Sequence, residues 1–291
     1  MKSNNVKWGY LIVLSLIWGS SFILIKKALI GVTPMQLGAL RVIFTGLFLF
    51  IAGFNKIKTI KIKDWKWVAL TGFLGTFFPA FLFAFAETEI DSSVTSILNA
   101  LVPLNTIILG ILIFKIKSTN RQILGVVIGL LGSVLLIASG AAINVDQNYL
   151  YASYIIIATA MYAISVNILK RYLQDMQALT IAVGNFAVII IPAIIVLLYS
   201  DFFTEDVFAS PHFAPSMGYL LILSLFGTAL AKVLFNKLVH ISTPVFASSV
   251  TYLMPVIAIF WGVLDGESFS FLQAVASVII LLGVYLSNKR K

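Results

Sequence analysis

Ten apolar runs, each about as long as the ~20 residues that a helix needs to cross the ~30 Å hydrocarbon core, punctuate this chain. They are Trp8–Ile25, Met35–Gly53, Trp67–Phe85, Ser92–Phe114, Ile123–Ser139, Tyr151–Leu169, Ala178–Tyr199, Met217–Val239, Val245–Leu264 and Leu272–Leu286. No water is present in that core to bond free N–H and C=O groups, so such runs are stable there only as helices or closed barrels. Twenty-residue lengths without strict alternation select helices. Of the 291 residues, 60% are hydrophobic and 11% charged, with mean hydropathy +1.03; a soluble domain carries roughly 25% charged residues. Ten helices use roughly 200 residues, leaving no length for a folded soluble domain. The expected fold class is an all-α integral membrane protein.

Local signals mark where helices start. Thr33-Pro34 and Ser242-Thr243-Pro244 each set a hydroxyl cap before a proline at the first helical position, where its missing N–H is not needed. The first run lacks a small-x-small cleavage site and is long for a signal sequence, so it reads as a retained helix. Charge then orients the runs. The tails and even-numbered gaps hold sixteen of the 20 Lys and Arg, Lys117, Lys289, Arg290 and Lys291 among them, while the odd gaps hold only Lys26 and Lys27. Those odd gaps also collect nine of the 11 acids, from Glu87, Glu89 and Asp91 through Asp146 to Asp265 and Glu267. Basic residues are retained on the cytoplasmic side, so both termini are expected in the cytoplasm and the protein in the cytoplasmic (inner) membrane. The net charge of +9 therefore reports orientation in the lipid bilayer and not a nucleic-acid partner.

The two halves resemble each other. Phe73-Leu74-Gly75-Thr76 aligns with Leu225-Phe226-Gly227-Thr228, and at the same offset Pro103 meets Pro255. Trp18 to Lys27 runs parallel to Tyr162 to Arg171, and Leu130-Leu131-Gly132 to Leu281-Leu282-Gly283. Each half, 1–145 and 146–291, has five spans. An odd number inverts the second copy in the membrane, an architecture that recurs in transporters with the substrate site between the repeats.

Trp18-Gly19-Ser20-Ser21-Phe22, the arginine of Leu40-Arg41, the mid-helix prolines Pro103 and Pro255, and Gly266-Glu267 after the ninth span resemble the pattern of the drug/metabolite transporter superfamily, in its EamA branch. The likeness covers the whole chain. It implies a cavity walled by spans one, three, four, six, eight and nine, and export of small metabolites or amino acids. One departure stands out: Lys115 occupies the place where the first half would repeat the Gly-Glu pair.

The residues themselves nominate a site. Ser224, Thr228, Lys232, Asn236 and His240 recur every fourth residue, drawing one polar stripe down the eighth span. Such a stripe must face protein or a watery cavity. Lys232 would otherwise snorkel to the headgroups, but Lys237 already holds that position. Ser92, Ser96, Asn99, Pro103 and Thr106 form a second stripe, with Asn105 beside it, and Thr76 stands in the third span. Pro103 and Pro255, the latter near Ser248 and Tyr252, each free a backbone carbonyl. Trp18 and Tyr162 lie mid-span, away from the interfaces where such rings collect; they either stack on substrate or on each other, or fill space. The expected substrate-binding set is thus Trp18, Thr76, Asn99, Pro103, Tyr162, Thr228, Lys232, Asn236, Tyr252 and Pro255. Arg41 is expected as a structural clamp on a carbonyl or the external acids, with neutral Asn185 as its repeat mate. Spans five and ten are almost devoid of polar residues, and Gly125-x-x-x-Gly129 offers a close-packing face; they read as scaffold or as a homodimer contact.

These features exclude other classes. An enzyme would need a base, a nucleophile with its partner or a metal cluster, and the chain offers no Cys and two separated His, His212 and His240. No cofactor or metal is expected. The expected function is a secondary transporter of carboxylate-bearing metabolites that works by alternating access. A channel-like facilitator and a non-transporting scaffold subunit are the alternatives. No carboxylate falls inside a span, so facilitation, exchange or a proton linkage through Lys232 are the expected modes of energy coupling.

Overall fold

The computed structural model describes residues 2–115, 119–143 and 147–288. The boundary expected after residue 145 lies outside the described residues, as do Lys117, Asp146, Lys289, Arg290 and Lys291. Among the described residues every regular element is helical. Eight helices are long and apolar enough to cross a membrane: Val6–Ala28, Pro34–Thr59, Ile62–Ala86, Ser92–Leu112, Tyr149–Tyr172, Ala178–Leu198, Phe213–Ile241 and Pro244–Leu264. They coincide with eight of the ten expected spans. In the places of the fifth and tenth stand helices Asn120–Ile143 and Phe271–Asn288, whose apolar stretches, Val127–Leu136 and Phe271–Gly283, are shorter.

The helix starts follow their local chemistry. Thr33 accepts from the Gln36 N–H while the Gln36 side chain accepts from the Thr33 N–H, a reciprocal capping box with Pro34 at the first position. Thr243 likewise accepts from the Phe246 N–H ahead of Pro244.

Several spans are interrupted in the middle. The fourth breaks between Ser92–Asn99 and Val102–Leu112, with Pro103 in the first turn of its second half. The ninth passes from Pro244–Ser248 through a tight 3₁₀ turn, Ser249–Tyr252, into Met254–Leu264, again with its proline, Pro255, at the restart. In the third and eighth the ladder widens to π-helix over Phe73–Phe77 and Leu223–Leu230, the two segments that hold the repeated Gly-Thr pairs. π turns often accompany functional sites.

The fifth and tenth helices pack on each other. A Cβ placed at Gly283 would collide with the backbone of Gly125 and Gly129, and one at Gly132 with Ile280. The small-residue face of the fifth helix is therefore filled by this chain's own tenth helix. Around the bundle, large apolar side chains such as Ile51, Leu131, Ile191 and Phe260 point outward, the surface that acyl chains solvate. The polar residues of the third, fourth and eighth helices turn inward: Thr71, Thr76, Ser96, Asn99, Thr228 and Asn236 are all buried.

Candidate functional site

The interior encloses a cavity of about 120 Å³, counted as space open to the centre of a water molecule. Its wall comes from the first, third, fourth, sixth, eighth and ninth helices, joined by Arg41 from the second. Trp18, Thr76, Asn99, Tyr162, Thr228, Lys232 and Asn236 all line it. Pro103, Pro255 and Tyr252 do not. The prolines act one step away: Pro103 has no N–H to give the Asn99 carbonyl, nor Pro255 to give that of Thr251, and both Asn99 and Thr251 are lining residues. Tyr252 is turned off the wall by the 3₁₀ turn, which presents Thr251 in its stead. Thr251 is the repeat mate of Asn99, a relation that would have named it from the sequence.

Lys232 is 8% exposed. Its ammonium donates to the Gly75 carbonyl and to Thr76 Oγ1, both at 3.0 Å. Gly75 is free to accept because the residue four on is Pro79, which has no N–H. Two of the three ammonium donors are thus used. Among the described residues no carboxylate lies within ion-pair distance of Lys232; the ion pairs seen there all involve Lys26 or Lys27.

The eighth helix repeats the device in mirror order. The Ala231 N–H, which an α-helix would aim at Gly227, bonds to the Phe226 carbonyl instead. The Gly227 carbonyl accepts from Trp18 Nε1 at 2.9 Å. Trp18 packs on Phe235 with ring centroids 5.2 Å apart, and its repeat mate Tyr162 packs on Phe83 at 6.0 Å. Phe83 and Phe235 are themselves mates at the 152-residue offset. In the same crossed fashion Ser21 Oγ lies over Gly227 and Ser165 Oγ over Gly75, each blocking the space a Cβ would need. Neither aromatic mate stacks on the other; each leans on a phenylalanine of the opposite half.

Arg41 bonds to a hydroxyl and not to the carbonyl or external acids expected for it. Its Nε donates to Thr228 Oγ1 at 2.9 Å inside the cavity, and among the described residues it forms no ion pair with the external acids. The reason is packing: the second helix lies along the π segment of the eighth, where Thr45 also donates to the Ser224 carbonyl. Asn185 does the equivalent work between the seventh and third helices, donating to the Val68 carbonyl and Thr71 Oγ1. Some polar residues of the stripes serve helix packing only: Asn105 donates to Thr159 Oγ1 at 2.8 Å, and Ser224 and His240 lie off the cavity wall.

A charge cluster follows directly on the lining residue Ile25. Lys26 pairs with Asp265 at 3.0 Å and Glu267 at 2.9 Å, and Lys27 pairs with Asp265. Glu267 also accepts the backbone N–H and hydroxyl of both Ser92 and Ser93, so it caps the fourth helix, where a carboxylate is favoured by the helix dipole. Burial pushes the Glu267 carboxyl up, but Ser92, Ser93 and Lys26 outweigh it and hold it below the usual carboxylate range. Burial likewise pushes Asp265 up, and its bonds to Lys27 and Lys26 bring it below its ordinary value. At the opposite end the mates are weaker. Arg171 donates to the Phe114 carbonyl at 3.3 Å, and Lys170 to those of Val239 and His240 at 3.1 and 3.2 Å.

Fold and cavity define the class, a multi-pass membrane protein that surrounds a buried chamber. The chain belongs to the EamA-like transporter family, which matches residues 7–138 and 150–289. It is 27% identical over 287 residues to a protein of Escherichia coli (strain K12) named uncharacterized inner membrane transporter YedA, covering 96% of this chain and 89% of that one. An uncharacterized transporter of Methanothermobacter thermautotrophicus is 24% identical over 307 residues, covering 96% and 85%. A solved crystal structure at 15% sequence identity superimposes over 99% of this chain and 96% of its own, with a TM-score of 0.67; that likeness concerns the fold alone.

Proposed function

We propose that this protein is a secondary transporter of ten spans in two inverted repeats, residues 1–145 and 146–291, which moves small carboxylate-bearing metabolites across the cytoplasmic membrane by alternating access. The observation that carries this reading is the Lys232 ammonium, held in a chamber by two oxygen atoms with no carboxylate counter-ion among the described residues and one donor left over. A fixed cation of this kind is completed by an anion, and Arg41 adds a second positive charge to the same wall. The aromatic rings of Trp18 and Tyr162 supply apolar surface beside it, so amino acids and related organic acids fit better than cations.

The crossed contacts support the inversion. Trp18–Phe235 and Tyr162–Phe83, Ser21–Gly227 and Ser165–Gly75 are pairs that exchange under the repeat offsets, as two copies related by a twofold axis require. The family matches fall on either side of the same division. Two such halves can trade conformations, opening one end of the chamber and then the other. Export from a cell whose basic loops face inward follows from the family resemblance, and the inner-membrane name of the E. coli relative agrees with the location.

The test is counterflow in proteoliposomes, preceded by a thermal-shift screen of amino acids, nucleosides and organic acids, since a bound ligand stabilises by RT ln(1 + [L]/Kd). A carrier shows saturable acceleration of labelled uptake by unlabelled substrate inside. A channel gives flux without that acceleration, and a scaffold none. Lys232→Met keeps the apolar stem and removes the charge. A hydrogen bond to a charged group contributes about 1.5–3 kcal/mol, so carboxylate affinity should fall about 10- to 150-fold; unchanged affinity and rate would refute the assignment.

A further inference from the structure

Glu87 ends the third helix as its C-terminal cap, donating its N–H to the Phe83 carbonyl. Phe83 lines the cavity, and Thr76, Ala80, Phe83 and Glu87 follow the four-three-four spacing that keeps residues on one helical face. The carboxyl therefore lies one turn beyond the chamber, on its face, toward the end where Lys26 and Glu267 lie. It is 8% exposed, and among the described residues neither of its oxygens has a hydrogen-bond partner. A buried carboxylate in that condition is costly, whereas the neutral acid is far less so.

The charged and titratable groups facing it come from several elements. Lys26 projects from the first helix, Arg41 from the second and Glu267 from the turn after the ninth; Tyr162 and Tyr154 approach from the sixth, through rings packed on Phe83 and Phe85. Glu89 and Asp91 follow on its own segment. Burial pushes the Glu87 carboxyl well above the usual range and the nearby Glu267 charge adds to this, while Arg41 and Lys26 pull it back. The two glutamates are thus treated oppositely: Glu267 is fully bonded and held ionised, and Glu87 is bare.

We propose that Glu87 is the proton-binding site of the transport cycle, taking up one proton as its carboxylate becomes the neutral acid and giving it up at the other side. The proposal rests on the carrier reading above. Its sign follows from electrostatics. Protonation removes a negative charge beside a chamber that holds Lys232 and Arg41, so it raises the affinity for an anionic substrate; by linkage the bound anion holds the proton equally. Proton and carboxylate therefore travel together, one of each, and an exported metabolite running down its own gradient carries a proton with it.

Two measurements on the full-length protein test this. In lipid nanodiscs, an infrared pH titration reads the carbonyl stretch of protonated carboxyls. The expected result is a band that persists above the ~4 at which exposed carboxyls ionise, is absent in Glu87→Gln, is shifted in Glu87→Asp and is retained in Glu267→Gln. No such band in the wild type, or one unchanged in Glu87→Gln, overturns the proposal. In proteoliposomes enclosing a pH dye, the probe is a ¹⁴C-labelled mixture of the common amino acids and dicarboxylates. Wild-type protein should move one proton per labelled carboxylate, and in Glu87→Gln that ratio should fall to none. Net labelled uptake by the wild type without proton movement, or an unchanged ratio in Glu87→Gln, overturns proton coupling and leaves the carrier reading standing. Absence of labelled exchange by the wild type counts against the carrier reading, and the infrared band then decides the proton site by itself.

Discussion

Trp18 reaches across the bundle to donate its indole N–H to the carbonyl of Gly227, 209 residues along the chain, at 2.9 Å. The carbonyl is available because a π turn diverts its usual donor, and the indole is in place because its ring leans on Phe235. Trp18→Phe keeps that ring contact and deletes the hydrogen bond. Bonds between helices in a membrane average about 0.6 kcal/mol, with a maximum of about 1.7, so the variant should lose stability of that order in chemical unfolding from mixed micelles. A loss above ~3 kcal/mol would show that the indole supports more of the core than this one carbonyl.

Gly75 offers a sharper test because two polar groups converge on it. A Cβ there would press on Ser165 Oγ and come within 3.0 Å of Lys232 Nζ. Gly75→Ala should therefore fold, since a serine hydroxyl can rotate, yet displace the ammonium and weaken carboxylate binding about tenfold or more, each ~1.4 kcal/mol being a factor of ten. Ser165→Ala in the same chain relieves the hydroxyl contact but not the one with the ammonium, so it should leave most of the loss in place, and isothermal titration across the four proteins measures the coupling. Equal affinity in all four would separate Lys232 from the ligand.

How much of this is legible in the sequence depends on distance along the chain. The polar stripe of the eighth helix and the mid-span prolines are periodic, local features, and the structure has Lys232 on the cavity wall and breaks at Pro103 and Pro255. The π turns have no comparable sequence mark beyond the repeated Gly-Thr and, in the third helix, Pro79. The partner of Arg41 is not legible in the sequence, because Thr228 is 187 residues away and only the packing of the second helix on the eighth brings them together. Glu267 caps a helix that begins 175 residues earlier, while Asp91, at the N-cap where local rules would place the capping side chain, accepts from Gln147. Glu87 follows the last apolar residue of its run directly, so it sorts with the exposed loop acids; its burial comes from neighbours that the run does not contain.

The charge closure between Lys26, Lys27, Asp265 and Glu267 has a defined pH window. Asp265 and Glu267 are both held below their ordinary values, so the stability they contribute is present above the unfolded carboxylate range, ~4, and is lost only as pH falls through the lower folded values. With no cysteine in the chain, Ser248→Cys gives a unique thiol on the cavity wall. Its labelling rate by an impermeant maleimide added to the outside, divided by the thiolate fraction at each pH, should stay flat from about pH 8 to 5. Adding Glu267→Ala should raise the rate several-fold at neutral pH. A rate insensitive to Glu267→Ala would mean that this cluster does not close the chamber.

The two ends of the chamber are mates built from unequal parts. Lys26 and Lys27 meet two carboxylates in the turn after the ninth helix, whereas among the described residues Lys170 and Arg171 meet backbone carbonyls and, for Arg171, the rings of Phe114 and Tyr172, with no carboxylate; the turn after the fourth carries Lys115 where its mate carries Glu267. Lys115 has a backbone φ of 55°, and Gly266, in the corresponding turn, has 87°, so the turns share a left-handed residue and differ in charge. The imbalance favours the state closed at the Lys26 end. Lys115→Glu would place an acid beside Arg171, replace a like charge by an opposite one, and strengthen the weak end. A partly exposed ion pair contributes ~1 kcal/mol or less, enough to shift a two-state ratio up to about fivefold. Labelling of Ser248→Cys from the outside should rise by a factor within that limit, and Arg171→Gln should cancel the gain. A fall in labelling would reverse the assignment of which end each cluster closes.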